Sequence, residues 1–301
     1  MTAKNQGMIY AGMSAVLYGL SAVITKIITV TGISIPTLLF CRGFFGVVIL
    51  FLWNLTQRNS LRISRANLKK IVLLCIAGSS STLLLLNITY LYLPVGSATT
   101  IHFLYPIIVT VAGAAIMKEK PARSTAFILI VCTLGLSFLF ESIAPSQYPG
   151  IAFAAMSSFT WSFHMLYLEH SKLASQMKPS VLAFYQNAVL AAVGLLAGGF
   201  VRHTFSFVPA LLPYLILLAV INSALATIFL QKGIALAGVS LSAILSVFEP
   251  VSSIFFGFLL LREGLSVKQL IACVIILAAI TVNIFMNAKE PDPSRIAQTK
   301  S

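Results

Sequence analysis

Val239 to Leu261 reads VSLSAILSVFEPVSSIFFGFLLL, an apolar run broken by one carboxylate and one proline, Glu249-Pro250. A helix needs about 20 apolar residues to cross a hydrocarbon core about 30 Å thick. Continuous apolarity over that length excludes the alternating pattern of a membrane barrel strand. The run is therefore predicted to span a bilayer as a helix. Working outward from it, comparable runs recur at about 8–30, 34–53, 69–92, 95–117, 124–141, 149–168, 179–200, 209–231 and 266–286. With 239–261 these make ten expected transmembrane helices, an all-α integral membrane protein with no room for a separate soluble domain. Composition agrees: 58% of the 301 residues are hydrophobic, 9% are charged, and the mean hydropathy is +0.97. A soluble domain carries about 25% charged residues.

The formal net charge is +13, which by itself would suit a nucleic-acid binder. The basic residues instead occupy short gaps between apolar runs, without a solvated face of interleaved aromatics, so no nucleic-acid partner is expected. Their distribution sets orientation. With the N-terminus in the cytoplasm, the inner segments hold most of them, including Lys4, Arg58, Arg62, Arg65, Lys69, Lys70, Lys118, Lys120, Arg123, Lys172, Lys178 and Lys232. The outer loops hold only Arg202, Arg262 and Lys268. The positive-inside rule then predicts a cell-membrane protein with both termini cytoplasmic. Cys41, Cys75, Cys132 and Cys273 each stand alone in an apolar run, without the pairing of a zinc or redox motif, so no metal or other cofactor is expected. The first run is too long for a signal-peptide core and is read as the first helix.

The chain repeats itself. Slid by 144 positions, Tyr105-Pro106-Ile107 falls on Glu249-Pro250-Val251, Lys118-Glu119 on Arg262-Glu263, and Asn87 on Gln231. Slid by 143, Met13-Ser14, Tyr18 and Pro36 fall on Met156-Ser157, Trp161 and Pro179. Each half holds an odd number of spans, so the second copy enters the membrane from the opposite side. Residues 1–145 and 146–288 are thus predicted to be inverted five-helix repeats, followed by a cytoplasmic tail at 289–301. In carriers, such repeats place a substrate site near the bilayer midplane.

Lys118-Glu119, Arg262-Glu263, Glu249-Pro250-Val251 and the intramembrane Arg42 resemble the drug/metabolite transporter superfamily in its EamA-type branch. The resemblance covers nearly the whole chain. One departure is Tyr18-Gly19, where tryptophan-glycine is commoner, and its counterpart Trp161 is followed by serine. The resemblance implies a carrier working by alternating access, exporting small metabolites such as amino acids.

Ionisable groups inside spans cost about 2.5–3.5 kcal/mol on insertion scales and each needs a reason. Glu249 is the one carboxylate expected deep in a span, and it would suit reversible protonation coupled to transport. Ser242, Ser246 and Ser253 share its helix face by spacing, and Pro250 removes a backbone donor beside it. His102 shares a face with Thr99 and Pro106, close to the repeat position of Glu249, whose counterpart is Tyr105. Tyr18, Trp161 and His164 sit near span centres, where interfacial anchoring does not explain them. Asn87, Gln231 and Asn222 offer amides to a polar solute or to a neighbouring helix. Arg42 is expected to pair with Glu249, with helix-end carbonyls or with a substrate carboxylate. Lys26 is expected to snorkel, Glu119 and Glu263 to pair at helix ends, and Pro106 and Pro250 to act as hinges or fixed kinks.

Tyr18, Asn87, His102, Tyr105, Trp161, His164, Gln231, Ser246 and Glu249 are thus the candidate substrate contacts. The reading is a secondary transporter in a lipid bilayer, monomeric or homodimeric, with a small-molecule substrate. The chain carries no phosphate-binding loop and hence no ATPase domain is expected in it, so direct ATP drive is not expected unless a partner supplies it. The alternatives are a channel or lipid-binding scaffold, for which no filter is visible, and a membrane-embedded enzyme, for which paired catalytic groups are missing.

Overall fold

The computed structural model describes residues 2–93, 95–117, 123–138, 145–200, 208–262, 264 and 266–289. Pro94, Lys118, Glu119, Lys120, Arg202, Glu263 and the tail beyond Lys289 lie outside the described residues. The described chain is helical throughout. In order come α1 (Ala3–Thr29), α2 (Ile35–Thr56), α3 (Arg65–Thr89), α4 (Val95–His102), α5 (Tyr105–Met117), α6 (Arg123–Ser137) and α7 (Tyr148–His170). Then follow α8 (Leu173–Gln176), α9 (Pro179–Phe200), α10 (Pro209–Ala237), α11 (Val239–Ser246), α12 (Phe248–Leu261) and α13 (Val267–Lys289). Among the described residues, six stretches are long and apolar enough to cross a membrane: α1, α2, α3, residues 179–199, α10, and α11 continued into α12. Three further apolar helices, 105–116, 125–137 and 267–282, are shorter.

Local chemistry sets the ends. Thr2, Ser34 and Ser64 accept N–H groups from Asn5, Thr37 and Asn67, capping α1, α2 and α3 at their first turns. α3 begins four residues before the expected 69 because Ser64 offers that cap. α10 runs to Ala237, past the expected end of the apolar run at 231, and stops at Gly238, φ 84°. Lys232 stays helical by turning its ammonium onto the Tyr10 ring, 4.8 Å from the centroid. Arg262 ends α12 in the left-handed conformation, φ 55°.

Two departures from regular helix recur about 144 residues apart. π-helical turns occupy Cys75–Ser79 in α3 and Ala219–Ala226 in α10. Breaks separate α4 from α5 at Phe103-Leu104 and α11 from α12 at Val247, and the helix after each break carries Pro106 or Pro250 in its first turn. A proline there loses little, since first-turn N–H groups have no intrahelical acceptor.

The two halves of the sequence interleave: α1 packs on α10 and α12, α2 on α9, α3 on α7, and α6 on α13. Between α2 and α9 the backbones nearly touch, because a Cβ on Gly43 or Gly194 would collide with the backbone of Ala191 or Phe40. Large apolar side chains such as Phe159, Phe255 and Val274 stay exposed, as lipid contact requires. The largest core extends from Leu136 and Ile276 through Ile128 and Tyr105 to Met8, Ile71, Leu74, Leu168, Leu182 and Ile234 near the connections 57–64 and 171–178. There Glu169 Oε1, at the end of α7, accepts the Val239 N–H at 2.9 Å and caps α11.

Candidate functional site

Between the helices lies a cavity of about 1350 Å³. α1 to α4 line one part of it, and α7, α9, α10, α12 and the start of α13 most of the rest. Its lining reaches Val30 and Gly32 after α1, Leu91 after α3, and Gly264 and Ser266 before α13. None of residues 57–64, 171–178 or 238 takes part. Among the described residues the cavity therefore meets the end poor in lysine and arginine, and Met8, Leu74, Leu182 and Ile234 are packed in the core and do not line it.

At the cavity wall the π-helical turn of α10 meets α2. Arg42 is 8% exposed. Its Nε donates to Ser223 Oγ at 3.3 Å and its Nη2 to Asn222 Oδ1. Asn222 donates onward to Ser21, whose hydroxyl donates to the Tyr18 carbonyl at 2.8 Å. A π-helical turn loosens the carbonyls of its own segment, and side chains meet them: Thr227 Oγ1 donates to Asn222 O at 3.0 Å and Asn187 Nδ2 to Ser223 O at 2.9 Å. The expected Arg42–Glu249 pair is not formed. Two neutral acceptors in the wide turn take the guanidinium's donors, and Arg42 acts on the Glu249 carboxylate only through space.

Glu249 lines the cavity in the first turn of α12, where the helix dipole favours a negative charge. Gly19 makes room for it: a Cβ there would fall 2.7 Å from the Glu249 carbonyl and 2.6 Å from the Ser252 Cβ. Tyr18, Tyr90 and Tyr105 lie within electrostatic reach of the carboxylate. Tyr18 and Trp161, matched by the 143-residue shift, meet edge to face at 6.4 Å between centroids. Trp161 stacks on His164 at 4.8 Å, and all three rings line the cavity. Asn87 and His102 also line it; Asn87 Nδ2 donates to Leu83 O at 2.7 Å, and His102 Nδ1 lies 2.9 Å from Ser157 Oγ. Gln231 lines it while donating to Gln186 Oε1 at 2.7 Å.

Tyr105 and Ser246 do not line the cavity. The break after α4 turns Tyr105 inward to 1% exposure, where its hydroxyl meets the Ser246 and Trp161 side chains. The second break divides the polar stripe expected along one face. Glu249 and Ser253 face the cavity, whereas Ser242 and Ser246, on α11, are buried and linked to each other by Ser246 Oγ donating to Ser242 O at 2.9 Å. Pro250 lines the cavity and Pro106 is buried behind it. Lys26 lines the outer part. Sequence reasoning missed Gln186, Asn187, Ser223, Thr227 and Tyr90, all of which line the cavity. The adjacent amides Gln186-Asn187, alone inside the apolar run 179–200, were the available signal.

The sequence matches the EamA-like transporter family twice, over residues 5–141 and 148–285. The chain belongs to the EamA-like transporter family. It is thereby a multi-pass membrane transporter of the drug/metabolite type. Among relatives, an uncharacterised transporter of Bacillus subtilis (strain 168), YoaV, is 24% identical over 277 residues, covering 83% of this chain and 88% of its own. A protein of known crystal structure, 19% identical, shares the fold with a TM-score of 0.76 over 92% of this chain and 97% of its own. The two EamA matches divide the cavity wall between them, with α1 to α4 in the first and α7 to α12 in the second.

Proposed function

We propose that this EamA-family protein is a secondary transporter that exports small metabolites such as amino acids, by alternating access of one cavity between two inverted five-helix repeats, 1–145 and 146–288. The observation that carries the reading is the single-ended cavity. It holds one carboxylate and one guanidinium that are not bonded to each other, which suits a solute with charged groups of either sign. The recurrence of a π-helical turn and a helix break about 144 residues apart supports the repeat. The lysine and arginine distribution supports cytoplasmic termini in the cell membrane. On that orientation the cavity faces outward, and export ends with the basic-end core closed beneath the released solute.

Glu249 serves as the coupling group, protonated on one side of the cycle and ionised on the other. Tyr18, Asn87, His102, Trp161, His164 and Gln231 contact the solute from the wall, and Pro106 and Pro250 mark the pivots. Tyr105 and Ser246 support the wall from behind. The test is counterflow in proteoliposomes with a panel of labelled amino acids and other small metabolites. Saturable exchange of at least one solute is expected; its absence across the panel overturns the carrier cycle.

A further inference from the structure

Gln186 on α9 and Gln231 on α10 both line the cavity and are 7% and 1% exposed. One bond joins them, Gln231 Nε2 donating to Gln186 Oε1 at 2.7 Å. That bond uses half of what the two amides offer. Gln186 Nε2 and Gln231 Oε1 are buried and have no hydrogen-bond partner. Exchanging the oxygen and nitrogen of both amides, the alternative assignment that preserves the bond, again leaves one donor and one acceptor unpaired. A buried unpaired polar atom costs about 1–3 kcal/mol, so native proteins seldom keep one without a use for it. Here two of complementary type stand on side chains already held together.

Their position gives them a function. Gln231 lies one helical turn beyond Thr227, the partner of Tyr18, toward the closed end, and Gln186 is two turns from the start of α9 at that end. The pair therefore belongs to the floor of the cavity, deeper than the Arg42–Asn222 network and separate in chemistry from Glu249. Neither free atom is charged, and among the described residues no ionised side chain bonds to the pair. Leu190 and Leu230 beside them add apolar surface to the same lining.

We infer that the Gln186–Gln231 pair is a recognition subsite for an uncharged edge carrying a donor beside an acceptor: a primary carboxamide or the amide edge of a nucleobase. The solute's carbonyl accepts from Gln186 Nε2 and its N–H donates to Gln231 Oε1. Turning both atoms toward an entering group takes a rotation of the terminal amide torsions, which are broad, and exchanges the bond between the two amides for bonds to the solute. A site built on hydrogen bonds rejects an analogue lacking them far more strongly than an apolar pocket does. This subsite rests on the transporter reading for its purpose, but its binding is measurable without flux.

The test uses the purified full chain in detergent, with thermal stabilisation as readout. Benzamide and nicotinamide represent the carboxamide source, uracil the nucleobase source, and acetophenone and benzoate replace the donor–acceptor edge. At least one of the first three is expected to bind about tenfold or more tightly than acetophenone and benzoate, a difference of about 1.4 kcal/mol. Which of them binds separates carboxamide from nucleobase.

Gln186→Leu with Gln231→Leu should abolish that preference. It should also raise the ligand-free melting temperature, because replacing both partners removes the unpaired atoms. A merely structural amide bond predicts the reverse, a lower melting temperature and unchanged probe selectivity. Gln186→Met with Gln231→Met provides a second variant of more adaptable shape should the leucine pair fail to fold, and it should lose the same preference. Equal affinity of the wild-type chain for benzamide, uracil and acetophenone, or preference surviving in the variants, overturns the subsite. Carboxamide or nucleobase binding without saturable exchange in proteoliposomes would sink the carrier cycle and leave the subsite standing.

Discussion

The helix pairs α4–α5 and α11–α12 are built alike and used differently. Each is broken before a proline-bearing turn, at positions about 144 residues apart. In the first, the residue beside the proline is Tyr105, buried to 1% and held among His102, Phe103 and Trp161. In the second it is Glu249, on the cavity wall. The same backbone device therefore closes a wall in one half and presents a charge in the other. In a symmetric architecture, the residue at which the copies differ is where the chemistry concentrates.

The sharpest way to break this contrast is to neutralise the charged member. Glu249→Gln keeps the shape and removes the titrating proton. Flux in proteoliposomes should fall by at least about tenfold, a difference of about 1.4 kcal/mol. What flux is left should no longer change with pH across the range where wild-type flux does. Wild-type flux with an unchanged pH profile would remove the coupling role from this residue. Arg42→Gln should come next. It strips donors from Asn222 and Ser223 in a buried network, costing about 1–3 kcal/mol of stability, read as a lower melting temperature in detergent.

Packing offers a second comparison of the two breaks. A Cβ on Gly19 would press into α12 beside Glu249, 2.6 Å from Ser252, whereas one on Gly113 in α5 would meet Leu166 at 3.4 Å, ordinary contact. Gly19→Ala should therefore destabilise by about 1–3 kcal/mol through overpacking. Gly113→Ala should be neutral or gain up to about 1 kcal/mol from helix propensity. Melting temperatures of the two variants side by side decide it, and equal shifts would show that the two walls are packed to the same tightness.

The contrast was partly legible in the sequence. Apolar run lengths located the helices to within a few residues, because burial in lipid demands continuous hydrophobicity. The run at 209–231 stops short of α10, whose Lys232 charge leaves the helix by way of Tyr10, and the run at 69–92 starts late, because the Ser64 cap lengthens α3. Glu249, Arg42 and Trp161 stood out because polar or ring-bearing groups at mid-span are costly. The partners of Arg42 did not, since nothing in the residues 219–226 announces a π-helical turn, and without it Asn222 and Ser223 have no reason to reach α2. The helix breaks were equally silent. Spacing placed Ser242, Ser246 and Glu249 on one face, and only the turn at Val247 separates them. Gln186 was visible as a polar residue in an apolar run, but its pairing with Gln231 depends on how α9 and α10 meet.

The smallest expected effect tests the quiet member of the pair. If Tyr105 serves only to back the wall, its hydroxyl matters for packing and not for transport. Tyr105→Phe removes the group that meets Ser246 and Trp161 while keeping the ring against His102 and Phe103. Stability should drop by about 0.5–1.5 kcal/mol, the net worth of an ordinary buried hydrogen bond, and flux should keep its wild-type rate and pH profile. A loss of flux comparable to that of Glu249→Gln would mean that the hydroxyl reaches the solute during the cycle. The two broken helix pairs would then differ in when they face the cavity, and the asymmetry seen here would belong to one state of the transporter instead of to its chemistry.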